Sequence, residues 1–238
     1  MENNLDYSIL EKLNHWIASS TFLSEQAVFL NDSGFSELIV ASSLVTLWFL
    51  DSETPPFKIR QRILLMILSL IPTYIVARLM QNVFHRSRPI INVPLQIPKD
   101  LELWHSSGRT SFSHYHGSFP SDHEALLFIV TIVFFTIDRR LGIFSFLFSV
   151  YYGFMRISVG YLWPSDVIGG AVLGSVIILL ILLIQPLLTN HLERLLLQFK
   201  RYPARLYTVS FLFLSDFQQN FVFLKKISSL LFHQRLFH

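Results

Sequence analysis

The chain has 238 residues, of which 52% are hydrophobic and 23 are Phe, and its mean hydropathy of +0.47 indicates a membrane protein rather than a soluble domain. The absence of Cys excludes disulfide bonds and thiolate metal sites. The net charge of +3 is unevenly distributed, because residues 1–37 hold six acidic side chains and one Lys, whereas residues 189–238 hold seven Lys and Arg and two acids.

The predicted elements begin with an amphipathic helix within residues 1–33. This segment lacks the basic start of a signal peptide, and its apolar side chains recur at helical spacing, at Leu5, Ile9, Leu13, Trp16 and Ile17. Five apolar segments follow, at residues 34–50, 63–84, 124–137, 141–161 and 166–188. A bilayer requires roughly 20 residues per span, so we expect the short third span to begin near Ser121.

These elements predict an all-α fold, a multi-pass transmembrane bundle of about five spans with the N-terminal helix beside it. We divide the chain into the amphipathic segment 1–33, a transmembrane domain 34–188 and a basic amphipathic tail 189–238. The glycines of the fifth span should let helices approach closely; they are Gly169, Gly170 and Gly174.

The distribution of Lys and Arg predicts the orientation of the bundle. The loops after the first, third and fifth spans are basic, and cytoplasmic loops are enriched in Lys and Arg. The N-terminus, residues 85–120 and residues 160–166 would then lie on the extracytoplasmic side. We expect an integral protein of the cytoplasmic (inner) membrane with its active face extracytoplasmic.

A stripe of polar side chains marks the end of the second span. Arg78, Gln81, Asn82 and His85 recur at three- and four-residue intervals, so they should face the bundle interior rather than lipid. The alternative for Arg78 is a side chain that extends to the membrane interface. An Arg inside a membrane span favours a functional role.

Two further arginines and the start of the third span predict an anion site. Arg88 and Arg156 carry guanidinium groups whose donors match a phosphate, and a helix N-terminus adds backbone N–H groups and a positive dipole end. Ser121 and Glu124 have the spacing of a capping box. Capping leaves His123 unexplained, and an imidazole there is suited to proton transfer on a bound phosphate.

The motifs that contain these residues resemble the type-2 phosphatidic acid phosphatase family, membrane lipid-phosphate phosphatases related in fold to vanadium haloperoxidases. They are Arg88-Pro89, then Pro120-Ser121-Asp122-His123, then Arg156 and Asp166 ten residues apart. Their order, spacing and sidedness agree with the family pattern from about residue 63 to 188. The resemblance implies a helical lipid-phosphate phosphatase in which Asp166 orients a nucleophilic His.

This sequence departs from the family pattern at four positions. Asp122 stands in place of Gly, as in some undecaprenyl pyrophosphate phosphatases of the family, and Met155 in place of Ser. Gln81 occupies the position of a Lys, whose charge Arg78 would supply from one turn earlier. Leu162 occupies the position of the nucleophilic His, which a leucine cannot replace.

The loss of that His leaves three possibilities open. Another His could act as the nucleophile, from among His85, His105, His114 and His116; a water molecule could attack with His123 as acid or base; or the site could bind a phosphorylated lipid without cleaving it. A metal site formed by His114, His116 and His123 is a weaker alternative, because no carboxylate geometry accompanies it.

We therefore hypothesise a phosphatase or phosphotransferase acting on a polyprenyl or glycerolipid (pyro)phosphate, and as the alternative a silent relative that binds such a lipid. The predicted catalytic residues are His123 and Asp166. The predicted phosphate-binding residues are Arg88, Ser121, Arg156, Arg78 and Gln81. We expect no metal or cofactor, since fixed cationic donors can stabilise phosphoryl charge. The expected partners are a phosphorylated lipid and the bilayer, not a nucleic acid.

Overall fold

The structure, a computed structural model, describes residues 4–32, 35–51, 57–96 and 117–218, and within these ranges it contains helices and no strand. The helices are α1 Asn4–Ala18, α2 Thr21–Asp32, α3 Phe35–Leu50, α4 Lys58–Phe84, α5 Pro89–Asn92, α6 Asp122–Ile137, α7 Arg139–Ser158, α8 Pro164–Arg201 and α9 Pro203–Gln218. The predicted all-α fold class is therefore confirmed.

Three described segments are long and apolar enough to cross a membrane, namely residues 58–92, α7 and α8. The other two predicted spans are helical but short. Both α3 and α6 have 16 residues, which corresponds to about 24 Å against a hydrocarbon core of about 30 Å. The prediction of five spans is thus correct in the position of each helix, but two of the five do not reach full length.

Helix α8 is longer than predicted, since it continues from residue 188 to Arg201. Its last turns remain amphipathic: Leu192 and Leu196 are buried in the main apolar core beside Ile63 of α4. This packing explains why the helix persists after the continuous apolar run ends. The division of the chain at 188 stays a prediction, although α8 runs through that point.

The main apolar core lies between α3, α4, α6 and α8, with fully buried side chains such as Leu65, Ile129 and Ile178, and α7 packs against α6. Helix α8 approaches α6 closely because glycine lines the contact. A Cβ at Gly170 would collide with the Ser121 carbonyl oxygen, and a Cβ at Gly174 would collide with that of Ala125. The predicted close approach at these glycines is confirmed, and it sets the start of α6 directly against the start of α8.

Helix α1 packs on this bundle through a different face from the predicted apolar stripe. Its buried residues are Asp6, Leu10, Asn14 and Ile17, while Leu5, Ile9 and Trp16 are exposed. The Asn14 amide donates to the Ser158 carbonyl (2.9 Å) and the Gln96 carbonyl (3.0 Å). The helix therefore docks on carbonyl groups at the end of α7 and in the segment after α5, and most of its apolar stripe is left facing outward.

Candidate functional site

Four helix ends meet at one side of the bundle: the end of α4, the start of α6, the end of α7 and the start of α8. Backbone hydrogen bonds tie them together. The Ser121 N–H donates to the Asp166 carbonyl (3.0 Å), and the Ser118 N–H donates to the Arg86 carbonyl (2.8 Å). The segments that carry the three sequence motifs are thus brought to the same end of the bundle.

The start of α6 is capped by Ser121, whose hydroxyl oxygen accepts from the Glu124 N–H (3.3 Å). The reciprocal half of the capping box is missing. Both carboxylate oxygens of Glu124 are buried and, within the described part of the chain, have no hydrogen-bond partner. The His123 N–H donates to the Asp122 carboxylate (3.0 Å), so the helix end offers an anion fewer free backbone donors than predicted.

Asp122 connects His123 to the end of α4. One carboxylate oxygen, Oδ1, lies 2.9 Å from His123 Nδ1, and the other, Oδ2, lies 3.1 Å from Arg78 Nη2. The side chains of Asp122 and His123 are 18% and 34% exposed, so both reach the surface of the site. This contact turns His123 in a definite direction, with Nδ1 toward the protein.

Arg78 and Gln81 reach the site but are held by protein groups. Arg78 Nη1 donates to the Gln81 side-chain oxygen (2.9 Å), and the Gln81 amide donates to the Pro120 carbonyl (2.9 Å). Gln81 is almost completely buried. Both residues therefore brace the segment that leads into α6, and their predicted roles as phosphate ligands stay predictions.

Arg88 and Arg156 each have a guanidinium N–H donor that no described protein group accepts. Arg88 Nη1 donates to the Tyr161 carbonyl (3.2 Å), and Arg156 Nη1 donates to the Tyr152 hydroxyl (2.9 Å). The Nε atoms of both arginines are buried, and among the residues that the structure describes neither has a hydrogen-bond partner. Each guanidinium acts electrostatically on the other, and both are attracted by Asp122. Two like charges with unused donors favour an anion between them.

Asp166 is fully buried, and each of its carboxylate oxygens accepts a hydrogen bond from the protein. Its Oδ1 accepts from Arg86 Nη1 (2.8 Å), and its Oδ2 accepts from the Trp163 N–H (2.9 Å) at the start of α8. Leu162 is 2% exposed and packs with Tyr152 and Met155 in an apolar cluster. The carboxylate that in the family orients the nucleophilic His thus acts here as a helix cap and ion-pair partner.

The ion pair between Arg86 and Asp6 was not indicated by the sequence. Arg86 Nη2 donates to Asp6 (2.7 Å), and Asp6 also accepts from the Ser165 hydroxyl (2.6 Å). Burial raises the pKa of the Asp6 carboxyl, but hydrogen bonds from Ser165 and Arg86 outweigh this effect, so the pKa lies below its ordinary value. Arg86 belongs to none of the motifs identified in the sequence, and 80 residues separate it from Asp6.

Of the four other histidines proposed as nucleophiles, the structure describes only His85. His85 ends α4 and is exposed, with Nδ1 3.2 Å from the Val83 carbonyl oxygen. The remaining three, His105, His114 and His116, lie outside the described residues. Within the described ranges, no group of three or more His, Asp and Glu side chains is arranged to hold a metal ion.

Comparison with known proteins agrees with this arrangement. The family model described as PAP2 superfamily matches residues 62–189, more than half of the chain. The chain is 23% identical over 178 residues to a protein of Escherichia coli (strain K12) named "Putative undecaprenyl-diphosphatase YbjG", covering 74% of this chain and 80% of that protein.

The fold is similar to a solved structure from Bacillus subtilis, described as the first transmembrane PAP2 type phosphatidylglycerolphosphate phosphatase. The TM-score is 0.51 at 18% identity, over 76% of this chain and 86% of the other. The matched region contains all the predicted site residues, from Arg78 to Asp166. The chain belongs to the PAP2 superfamily of membrane phosphatases.

Proposed function

We propose that this protein binds the phosphate group of a polyprenyl or glycerolipid (pyro)phosphate at the extracytoplasmic face and hydrolyses it by direct attack of water. The observation that carries the proposal is the pair Arg88 and Arg156, whose buried Nε donors lack partners among the described residues. A phosphate between them would accept these donors and neutralise their mutual repulsion. The two similar proteins support the substrate class, because one is named a putative undecaprenyl-diphosphatase and the other a phosphatidylglycerolphosphate phosphatase.

The roles of the residues follow from their positions. Arg88 and Arg156 stabilise the charge that develops on the phosphoryl oxygens, and Ser121 adds a hydroxyl at the start of α6. His123 transfers the proton. Because Leu162 is buried and cannot form a phosphohistidine, the reaction has no covalent intermediate on that residue.

A second candidate function is binding of the phosphorylated lipid without cleavage. It is favoured by a specific observation, the engagement of Asp166 with Arg86 and Trp163. Each oxygen of that carboxylate already accepts a hydrogen bond from the protein, so Asp166 is held in place by groups other than a reacting histidine. A protein of this kind would retain or present the lipid through the same arginines.

The two functions are separated by measuring phosphate release from undecaprenyl pyrophosphate and phosphatidic acid by the purified protein in detergent, with and without a chelator. We expect metal-independent release, lowered roughly 10²–10⁴-fold in His123→Ala because a proton-transfer group contributes about that much. Arg139→Ala, at the exposed opposite end of the bundle, is the matched control.

Binding of labelled lipid provides the second measurement. Arg88→Lys keeps the charge but removes the Nε donor, so we expect binding to weaken roughly 10- to 150-fold, since a hydrogen bond to a charged group contributes about 1.5–3 kcal/mol. Binding that depends on Arg88 without any phosphate release identifies the silent relative. If Arg88→Lys and Arg139→Ala bind alike, the phosphate does not lie at this site.

A further inference from the structure

Glu124 is an acidic side chain to which the proposed hydrolysis gives no role. It lies in the first turn of α6, one residue after His123, and its exposed fraction is 0%. Neither of its carboxylate oxygens accepts a hydrogen bond from the part of the chain that the structure describes. A buried carboxylate without donors is unfavourable when ionised, so the ionised form of Glu124 requires a nearby positive charge.

The space for this carboxyl group is made by glycines of α7 and α8. A Cβ at Gly153 would come within 2.8 Å of Glu124 Oε1 and within 2.9 Å of a Val167 methyl group. A Cβ at Gly170 would come within 3.0 Å of Glu124 Cβ. At these contacts α7 and α8 present backbone and apolar groups to Glu124, which agrees with its lack of hydrogen bonds.

The positive charge that acts on Glu124 is Arg156. The guanidinium and the carboxylate attract each other, and Arg156 follows Gly153 by three residues, on the same side of α7. The other described acids and their neighbours at this end of the bundle are paired among themselves: Asp122 with Arg78 and His123, and Asp6 and Asp166 with Arg86. Arg156 is therefore the electrostatic partner of Glu124.

Binding of a phosphate changes this balance of charge. Around the proposed phosphate position, the described charges are the guanidinium groups of Arg78, Arg88 and Arg156 and the carboxylates of Asp122 and Glu124, which leaves one positive charge in excess. A phosphate monoester carries a charge of about −1.5 to −2 near neutral pH. Its arrival beside Arg156 would turn the excess negative, next to a carboxylate that has no hydrogen bonds.

A proton on Glu124 removes this excess. We propose that Glu124 takes up a proton when a phosphate binds between Arg88 and Arg156, so that the substrate replaces an internal anion of the protein. Glu124 is then a positioning residue, since its carboxylate attracts Arg156 before the phosphate binds and its neutral form leaves the guanidinium to the phosphate. The proton comes from solvent, and no bond of the substrate changes in this step. The inference rests on the proposed function and deepens it.

The effect on binding has a definite sign. A site that binds a proton together with its ligand loses affinity for the ligand as pH rises, by at most about tenfold per pH unit for one proton. Glu124→Gln keeps the size of the side chain and has no proton to take up. Its affinity for a phosphorylated lipid should therefore depend less on pH than that of the unaltered protein.

The competing explanation is that Glu124 is neutral at all times and only fills the space beside Gly153 and Gly170. A side chain of that kind contributes to packing but has the same protonation state with and without a bound phosphate. The protonation change on binding, rather than stability or affinity alone, separates the two explanations.

The test uses a non-hydrolysable phosphonate analogue of phosphatidic acid, added to the purified full chain in detergent. Proton uptake is measured by titration calorimetry in buffers of different ionisation enthalpy, between about pH 5 and 9, because shifted carboxyl groups titrate over this range. The unaltered protein is compared with Glu124→Gln and with Glu11→Gln, a control on the exposed side of α1. The phosphonate and His123 are common to all three proteins, so their own protonation cancels from the comparison.

Infrared difference spectra of the same samples provide the second measurement, because a protonated carboxyl group and a carboxylate absorb at different frequencies. We expect the unaltered protein and Glu11→Gln to take up as much as about one proton more than Glu124→Gln on binding the phosphonate. A carboxylic acid band should appear on binding in the first two proteins and not in Glu124→Gln.

Two results overturn the inference while the proposed binding stands. One is equal proton uptake with and without Glu124, and the other is the absence of a new carboxylic acid band in the unaltered protein, which is decisive even if Glu124→Gln does not fold. Arg88→Lys is measured alongside. If the phosphonate does not bind, or binds equally well to Arg88→Lys, the proposed phosphate site is wrong and the inference falls with it.

Discussion

Asp122 and Asp166 occupy equivalent places, each near the start of a helix at the same side of the bundle and each paired with an arginine. The second partner of each carboxylate differs. Asp122 contacts an imidazole and is 18% exposed, whereas Asp166 caps α8 and is completely buried. The buried pair at Asp166 is therefore part of the framework, whereas the pair at Asp122 includes an imidazole that reaches the surface of the site and is available for the proposed chemistry.

The largest effect should come from breaking the buried ion pair between Arg86 and Asp166. Arg86→Leu leaves Asp166 buried without its cation and also removes a donor from Asp6, so we expect a loss of about 3–5 kcal/mol in the free energy of unfolding. Arg78→Leu should cost less, because Asp122 is partly exposed and keeps His123. Unfolding in mixed detergent measures both, with Arg139→Leu as the control. Equal losses in Arg86→Leu and Arg78→Leu would contradict the distinction between the two carboxylates.

A smaller effect should follow from restoring the family's histidine. Leu162→His places a polar ring in an apolar cluster beside an Asp166 that already has its partners, so we expect a loss of about 1–3 kcal/mol and no gain in phosphate release. Leu162→Met keeps the volume and is the control. Faster turnover in Leu162→His would mean that Asp166 is able to leave Arg86 and orient a nucleophile.

The smallest effect should depend on pH. The lowered pKa of Asp6 means that its contribution to stability is present above the unfolded-state value of about 3.9 and is lost as pH falls through the folded-state value. Asp6→Asn should therefore be less stable than the unaltered protein by about 1 kcal/mol near neutral pH, and the difference should shrink below about pH 4. The control is Glu11→Gln on the exposed side of α1. A difference that grows in acid would contradict the Asp6–Arg86 pairing.

The helices were predictable because apolar runs and glycines carry local signals. The positions of α4, α6 and α7 follow from such runs, and Gly170 and Gly174 indicated that another helix approaches α8 closely, which the structure shows to be α6. The face through which α1 packs was not predictable. Its anchor, Asn14, bonds to carbonyl groups that are distant in the chain, and hydrophobic periodicity contains no information about such acceptors.

The candidate site was predictable where the spacing of residues carries the chemistry, and less so where partners come from distant segments. The motifs predicted that Arg88, Arg156 and His123 lie together, and both arginines interact electrostatically with Asp122, the neighbour of His123 in the chain. They did not show that Asp166 is paired with Arg86, or that Asp122 bridges Arg78 and His123, because these contacts depend on how the end of α4 meets the starts of α6 and α8. The roles assigned to all of these residues stay predictions.

The peptide unit at Ser121 is secured on both sides by α8, through its N–H bond to the Asp166 carbonyl and through the contact of its own carbonyl with Gly170. The backbone at Ser121 is therefore held against α8 at the start of α6. In the proposed complex, the phosphate would meet a backbone held in place by these contacts, and the guanidinium groups of Arg88 and Arg156 would adjust to its shape through their side-chain torsions and unused donors.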